Sequence, residues 1–393
     1  GKQMELVILA IARFRSDQKE AMSKNFVNLA QRLTENGHHV VTVSPTGFRS
    51  HIKVEQHTFR DESRYESLFE GLMNLIYLCR ELNRLLEQTN SAKVNLHIAT
   101  PIELLVVFFF LNSRYQKQTT LSIWQSYLTL EEVRNNKNYF LQNWFKYLHL
   151  FLFNSFVSAP LYKSLLDNFC QAIVHSKYQK LQLSSQSNLP IYFIQNGVFS
   201  ENFSRPILAK KTQKMSLLYI GHSKPSKGVD ALIELAAILK KRECINFDLT
   251  LCLSGFGDQE NIEKLVSKYD LQHQTEFKEN IDISVEMARA DLLILPLRTC
   301  VGTSLTPNLI VEAVSCGLPI AIPYFEQLSD VIQFGSNAIK IDLDDLEASA
   351  RAIENGFKLG QLDQMSRNQI KQFKARYTLE SFVSGYTRTL GLG

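Results

Sequence analysis

The sequence predicts an α/β protein made of doubly wound parallel sheets in two domains. Three observations carry that expectation. Apolar strand-like runs alternate with amphipathic helical runs along most of the chain. The strands are joined through helices, and that connection makes neighbouring strands parallel. The 393 residues exceed what one hydrophobic core usually serves.

The elements follow in order. "ELVILAIA" (5–12) reads as a strand and "KNFVNLAQRLTENG" (24–37) as a helix closed by Gly37. "HHVVTVSP" (38–45) is the next strand, completing a β-α-β unit. A helix pattern spans 65–89, then a strand 93–100, a helix 102–112 and a strand 119–126. Residues 139–170 are rich in aromatics and Leu, with Lys146, His149 and Lys163 among them. They read either as a core helix broken at Pro160 or as a surface touching lipid or a lipid-linked substrate. Strands at 171–176 and 190–198 follow.

The polar, Lys-rich stretch 200–214 is the expected domain boundary. Beyond it the alternation is more regular. "MSLLYIG", "FDLTLCLSG", "TEFKEN", "DLLILPL" and "LPIAIP" read as strands. "GVDALIELAAILKKR", "QENIEKLVSKYD", "ISVEMARA", "PNLIVEAVSCG" and "DLEASARAIENGF" read as helices. The tail 366–390 is helical in pattern. The expected domains are therefore 4–200 and 201–365, with a C-terminal helix in 366–393. Gly1–Gln3 read as a foreign leader before Met4.

Composition narrows the function. Net charge is +4 with pI about 8.6, which does not call for nucleic acid and weakly favours an anionic ligand or a negative membrane surface. Six cysteines without CxxC spacing argue against a zinc site or a disulfide frame and suit a reducing cytosol. The apolar run 102–112 is too short for a membrane span, which needs roughly 20 residues.

In a doubly wound sheet, ligands bind beyond the carboxyl ends of the strands, so the loops there hold the candidates. "GHSKPSKGVD" (221–230) brings Gly221, His222, Lys224 and Lys227 to a helix start, a combination suited to phosphate. "GFGD" (255–258) offers Gly255 and Gly257, which let backbone approach a ligand. In "GTSLTPNLIVEAVSCGLP" (302–319), a helix starting after Pro307 places Glu312 about one turn in. A carboxylate there can accept two hydroxyl hydrogen bonds from a vicinal diol. The free amides of Asn308 and Leu309 would meet a phosphate. The alternative is a Glu312 that points to water.

The ordered set "LLYIGHSKPSKGVDALIELAAIL", "LCLSGFGD", "ARADLLILPL" and "PNLIVEAVSCGLPIAIP", over roughly 217–345, resembles the nucleotide-sugar-binding half of family-4 retaining glycosyltransferases of the GT-B fold. "LAQRLTENGHHVVTVS" and "IVHSKYQK…IYFIQNGV" are similar to the first half of that fold in plan. The resemblance implies two Rossmann-like domains facing across a cleft, with the C-terminal helix crossing back to the N-terminal domain. It implies transfer of a hexose, UDP-glucose being the first choice of donor, to a polysaccharide or lipid-linked acceptor with retention at the anomeric carbon. It also implies roles. Lys227 matches the lysine that neutralises the diphosphate, and Glu312 the ribose-binding glutamate. Asn308 and Leu309 match the phosphate-capping amides, and Gly255 and Gly257 the glycines beside the base.

The departures are specific. His222 stands where the family usually has Arg, so diphosphate stabilisation is expected to be weaker or pH-dependent. Neutral Ser304 stands where the family's first glutamate falls, and Thr306-Pro307 replaces its Phe-Gly pair. Ser304, Thr303 or backbone would then hold the donor's hydroxyls. The glycine-rich first loop is replaced by a stretch with Arg13, Arg15, Ser16 and Lys19. Trp124 or Gln125 takes the place of the usual His after "TLSI", with His97 as a second polar contact or a buried structural residue. The catalytic set expected is therefore Lys227, His222 and Glu312. Gly221, Gly255, Gly257, Ser304, Thr306, Asn308 and Leu309 complete the donor site. Arg13, Ser16, His97, Trp124 and Gln125 are contacts for acceptor or donor. No Asp-x-Asp metal motif is present in context, since "DLDD" (342–345) reads as the approach to a helix. The expected enzyme needs no metal or other cofactor and works in the cytoplasm or at the inner membrane face. Its expected partners are a nucleotide sugar and a saccharide or lipid-linked acceptor. A catalytically degenerate nucleotide-sugar-binding subunit and a nucleotide-sugar epimerase are the competing readings.

Overall fold

The computed structural model describes residues 4–18, 20–60, 68–99, 101–125, 134, 159–185, 187–197, 214–300 and 308–393. They divide between two compact units. One holds the described residues up to 197 together with Leu379–Gly393, and the other those of 214–300 and 308–378.

The first unit runs β1 (Leu6–Ile11), α1 (Ala21–Glu35), β2 (His39–Ser44), β3 (Glu55–Thr58), α2 (Leu68–Glu87), β4 (Ala92–Ile98), α3 (Pro101–Phe110), α4 (Ser113–Gln116), β5 (Thr119–Ile123), α5 (Ala159–Leu166), β6 (Gln171–Val174), α6 (Lys177–Ser184) and β7 (Ile191–Phe193). The sheet order is β3-β2-β1-β4-β5-β6-β7, and every pair is parallel. The order reverses between β1 and β4, the switch point where such sheets take ligands. Val7 to Ile11 on β1 are all fully buried, because helices cover both faces and leave no room for polar alternation.

The second unit runs β8 (Lys214–Ser223), a 3₁₀ turn (Pro225–Lys227), α7 (Val229–Arg242), β9 (Asn246–Gly257), α8 (Gln259–Lys268), β10 (Thr275–Lys278), α9 (Ile283–Arg289), β11 (Leu292–Ile294), α10 (Asn308–Cys316), β12 (Ile320–Ile322), β13 (Ala338–Lys340), α11 (Leu346–Lys358) and α12 (Gln361–Asn368). Its sheet order is β10-β9-β8-β11-β12-β13, again parallel throughout. Here the switch point lies between β8 and β11. Two doubly wound parallel sheets are the architecture the alternating pattern predicts.

The tail is not one helix. After α12 the chain makes a π turn (Gln369–Phe373) and a 3₁₀ turn (Lys374–Tyr377) before α13 (Leu379–Thr389). Gln369 is fully buried, and its amide donates to the Leu318 carbonyl at 3.0 Å. Tyr377 is also fully buried, so the chain must turn to keep both inside. α13 belongs to the first unit, where Phe382 and Tyr386 are fully buried and the Gln171 amide donates to Thr389 O at 2.7 Å.

β3, β13 and α6 are elements the sequence pattern did not announce. β3 and β13 are edge strands of four and three residues, and β3 has no apolar residue to mark it. α6 is capped by Ser176, whose Oγ accepts from Gln179 N at 3.2 Å.

Candidate functional site: the strand ends of the second unit

β8 ends in the candidate phosphate loop. Tyr219 is buried, and its hydroxyl donates to the His222 carbonyl at 2.6 Å. A Cβ on Gly221, whose φ is +150°, would meet that hydroxyl at 2.9 Å. His222 Nδ1 accepts from Lys224 N at 3.3 Å, so the ring's proton sits on Nε2. Burial pushes its pKa down to about 4, with the charges of Lys227 and Lys224 acting in the same direction. His222 is therefore a neutral single donor at neutral pH. The sequence expectation of a partly charged ring is corrected on this point: the two lysines and partial burial take the titration below the physiological range.

The 3₁₀ turn carrying Lys227 ends at Gly228, whose φ is +70°. A Cβ there would strike the Pro296 carbonyl, so the turn lies directly on the exit of β11. Lys227 also lies within electrostatic range of Cys300. Arg298 joins these parts: it forks onto Asp230 of α7 at 2.7 Å through both guanidinium tips.

The two glycines of the next loop differ. Gly257 pairs in register with Ser223. Its φ is +108°, and a Cβ would overlap Ser223 Oγ and lie 2.7 Å from Lys224 N. It lets the end of β9 close against the end of β8. Gly255 has no atom near its Cβ position and opens outward, as backbone beside a ligand would. Asp258 caps α8, its carboxylate accepting from Asn261 N at 3.0 Å.

α10 starts at Asn308, with Glu312 one turn in. Glu312 is 2% exposed, which removes the reading that it points to water. Asn308 and Leu309 are half-buried at the helix start. The helix closes on a Schellman pair, Leu318 N donating to Ala313 O at 2.8 Å and Gly317 N to Val314 O at 3.1 Å. Gly317 has φ +76°, and a Cβ would meet Ile370 Cγ1 at 2.9 Å. Ser304, Thr303, Thr306 and Pro307 lie outside the described residues.

In the first unit, Arg13 and Ser16 stand on the loop leaving β1, half-buried and exposed respectively. The same loop holds Gln18 at φ +55°. It also holds Glu20, whose carboxyl is pushed up by burial against the opposing charges of Arg13 and Arg15. Gln125 is half-buried, and its carbonyl accepts from the Gln179 amide at 3.2 Å. His97 and Trp124 are interior, at 0% and 3% exposure. This matches the structural alternative for His97.

Both sit in a polar chain with one direction. Trp124 Nε1 donates to His97 Nδ1 at 3.0 Å, so His97 Nε2 donates to Asn95 Oδ1 at 2.7 Å. Asn95 Nδ2 donates to Ser122 Oγ at 2.9 Å. His175 Nδ1 donates to the Ile194 carbonyl at 3.0 Å, so its Nε2 accepts from the Tyr386 hydroxyl at 3.3 Å. Ser122 then donates to Tyr386 across 2.8 Å. Trp124 stacks on His175 with ring centroids 3.9 Å apart. Burial, and for His97 the proximity of His175, holds His97 well below its ordinary pKa. Burial takes His175 down to about 4.

Sequence reasoning missed Asn95, Ser122, His175, Tyr386, Asp230 and Arg298 as structural partners. One signal was present: Asn95 and His97 share a strand face inside an apolar run, the mark of a buried polar pair. Among the described residues no group of three His, Cys, Asp or Glu side chains could hold a metal. In "DLDD", Asp345 caps α11 through Ala348 N at 3.0 Å, and Asp342 accepts from Asp344 N at 2.9 Å. No helix among the described residues is long and apolar enough to cross a membrane.

The two doubly wound parallel sheets have the GT-B fold, and comparison with solved structures agrees. Residues 200–373 match the family model of glycosyl transferases group 1. The fold is similar to that of sucrose-phosphate synthase from Thermosynechococcus elongatus, at 18% identity and TM-score 0.72, covering 97% of this chain and 98% of that one. It is also similar to WaaG, a glycosyltransferase involved in lipopolysaccharide biosynthesis, at 16% identity and TM-score 0.68, covering 99% of this chain and 100% of that one. A third is Anabaena HepE, solved in complex with UDP-glucose, at 14% identity and TM-score 0.68, covering 98% of this chain and 99% of that one. Comparison of the sequence with curated proteins gives no match.

Proposed function

We propose that the chain is a retaining hexosyltransferase that moves a sugar, glucose first, from a nucleoside diphosphate sugar, UDP-glucose first, to a hydroxyl of a polysaccharide or lipid-linked acceptor. The observation that carries the reading is Glu312, a carboxylate 2% exposed one turn into a helix at the carboxyl edge of the second sheet. A carboxylate there can accept two hydrogen bonds from a ribose diol, and the Lys227 turn and the open backbone at Gly255 lie at the ends of strands of the same sheet. The UDP-glucose complex of HepE supports the choice of donor.

In this reading the barrier is departure of the nucleoside diphosphate. Lys227 and the amides of Asn308 and Leu309 meet the charge growing on it, and neutral His222 adds one hydrogen bond. Glu312 holds the ribose, and Gly255 lets the base lie against backbone. The leaving phosphate takes the acceptor's proton, so no separate base and no metal is required. Arg13 and Ser16 on the β1 exit loop are the acceptor contacts. The enzyme works in the cytoplasm, peripheral to the inner membrane face. Supporting that placement, Phe108, Phe109 and Phe110 at the end of α3 are 37%, 69% and 41% exposed. The aromatic residues 139–158 lie outside the described residues.

Thermal-shift screening of the full chain against a panel of nucleotide sugars tests the reading. One donor class should raise the melting temperature, and Lys227→Ala and Glu312→Ala should each remove that shift. A shift that survives both changes defeats the site assignment. Transfer should persist in EDTA, and the product's anomeric signals should report retention.

The neutral His222 favours one second reading, a binding subunit without turnover. Donor binding with neither transfer nor donor hydrolysis would decide for it.

A further inference from the structure

The turn carrying Lys227 is held by a residue outside the donor site. Arg298 stands just beyond β11. Its Nη1 donates to the Pro225 carbonyl at 2.6 Å and to Asp230 Oδ1 at 2.7 Å. Its Nη2 donates to Asp230 Oδ2 at 2.7 Å, and its backbone N–H donates to the Ser226 carbonyl at 3.0 Å. Four hydrogen bonds from one residue thus fall on the segment 225–230. Gly228 adds steric contact, since any Cβ there would strike Pro296. The three-residue turn is bolted to the strand exit on both sides of Lys227.

Stability alone is a weak account of this clamp. Arg298 and Asp230 are 41% and 39% exposed, and an exposed ion pair contributes at most about 1 kcal/mol. Geometry and charge are better accounts. A planar fork fixes the direction of its acceptors in a way a point charge does not. Asp230 sits in the first turn of α7, where an uncompensated carboxylate would repel an incoming diphosphate.

We infer that Arg298, acting on Asp230 and the 225–226 carbonyls, is a positioning residue for the donor diphosphate. It fixes the Lys227 turn and cancels the one carboxylate of α7's first turn. The inference rests on the donor reading of Lys227. Arg298 need not touch the donor, because its guanidinium tips are committed to the turn.

Calorimetric titration of the full chain with UDP and with uridine, or with the nucleoside diphosphate and nucleoside of the panel's best donor, separates the outcomes. Arg298→Ala should weaken diphosphate binding about tenfold and leave nucleoside binding within about twofold. Arg298→Lys, which keeps the charge and loses the fork, should fall between. Diphosphate and nucleoside affinities that weaken in parallel would mean a merely structural role and overturn the inference. So would full diphosphate affinity in Arg298→Ala while Lys227→Ala has lost it. If Lys227→Ala itself keeps diphosphate affinity, the donor reading of Lys227 fails, and the inference that rests on it falls too.

Discussion

His222 shows how far a single position departs from what its residue type suggests. A histidine in place of arginine invites the expectation of a pH-switched phosphate contact. Its surroundings oppose that. Burial and two lysines take its pKa to about 4, so between pH 6 and 8 it does not titrate in the unliganded chain. Donor kcat/KM is therefore expected to show no step near pH 6.5 that His222→Gln removes. Such a step would mean that His222 is charged in use. His222→Arg, which supplies a permanent cation, is expected to tighten donor binding about tenfold if charge on the diphosphate is limiting. The residue Glu312 was legible for the opposite reason. A lone charge in an apolar helical run is conspicuous in a sequence, and its 2% exposure bears out the oddity. Arg298 and Asp230 were not legible. Nothing in their local sequence says that one forks onto the other across 68 positions.

Among the elements, apolar runs and regular periodicity were readable, while β3 and β13 were not. The long helices repeat their pattern, and even the three-residue strands β11 and β12 sit within longer apolar runs of sequence. β3 has no apolar residue and β13 only two, and the tail hides its bends because Gln369 and Tyr377 look like ordinary surface residues in a helical pattern. α13 carries a sharper lesson. Gly385 lies inside this helix, where glycine costs about 1 kcal/mol relative to alanine, so propensity alone expects Gly385→Ala to stabilise. Packing expects the reverse. A Cβ would lie 2.9 Å from Ile194 Cγ2 and 3.3 Å from its Cγ1, against a buried side chain with little freedom to move. Overpacking of this kind costs about 1–3 kcal/mol, which exceeds the gain in propensity. Urea unfolding should show Gly385→Ala less stable than wild type by about 1–2 kcal/mol. A more stable variant would show that α13 can slide away from Ile194 at little cost.

At the scale of the whole molecule, the last residues of the chain complete the first unit's core. Tyr386 enters the hydrogen-bonded chain that runs from Trp124 to the Ile194 carbonyl, and each link fixes the proton of the next. Protonating His97 would set an N–H against Trp124 Nε1–H. Protonating His175 would set an N–H against the Tyr386 hydroxyl, which now donates to it. Both rings are therefore neutral when folded, and the sign of the pH effect follows. Unfolded histidines take up protons below about pH 6.5, while folded His175 waits until about 4 and His97 is also held well below its ordinary value. The unfolded state then binds more protons, so stability is full above pH 6.5 and is lost as the pH falls toward 4. Each neutral buried histidine contributes a slope approaching about 1.4 kcal/mol per pH unit well below 6.5. Urea unfolding at pH 7, 6 and 5, followed at the first unit's transition, should show the loss. His175→Gln keeps a donor for Ile194 and an acceptor for Tyr386 but cannot titrate. It should remove about half of the slope, whatever it does to stability at pH 7. An unchanged slope would place the acid sensitivity outside this chain of hydrogen bonds.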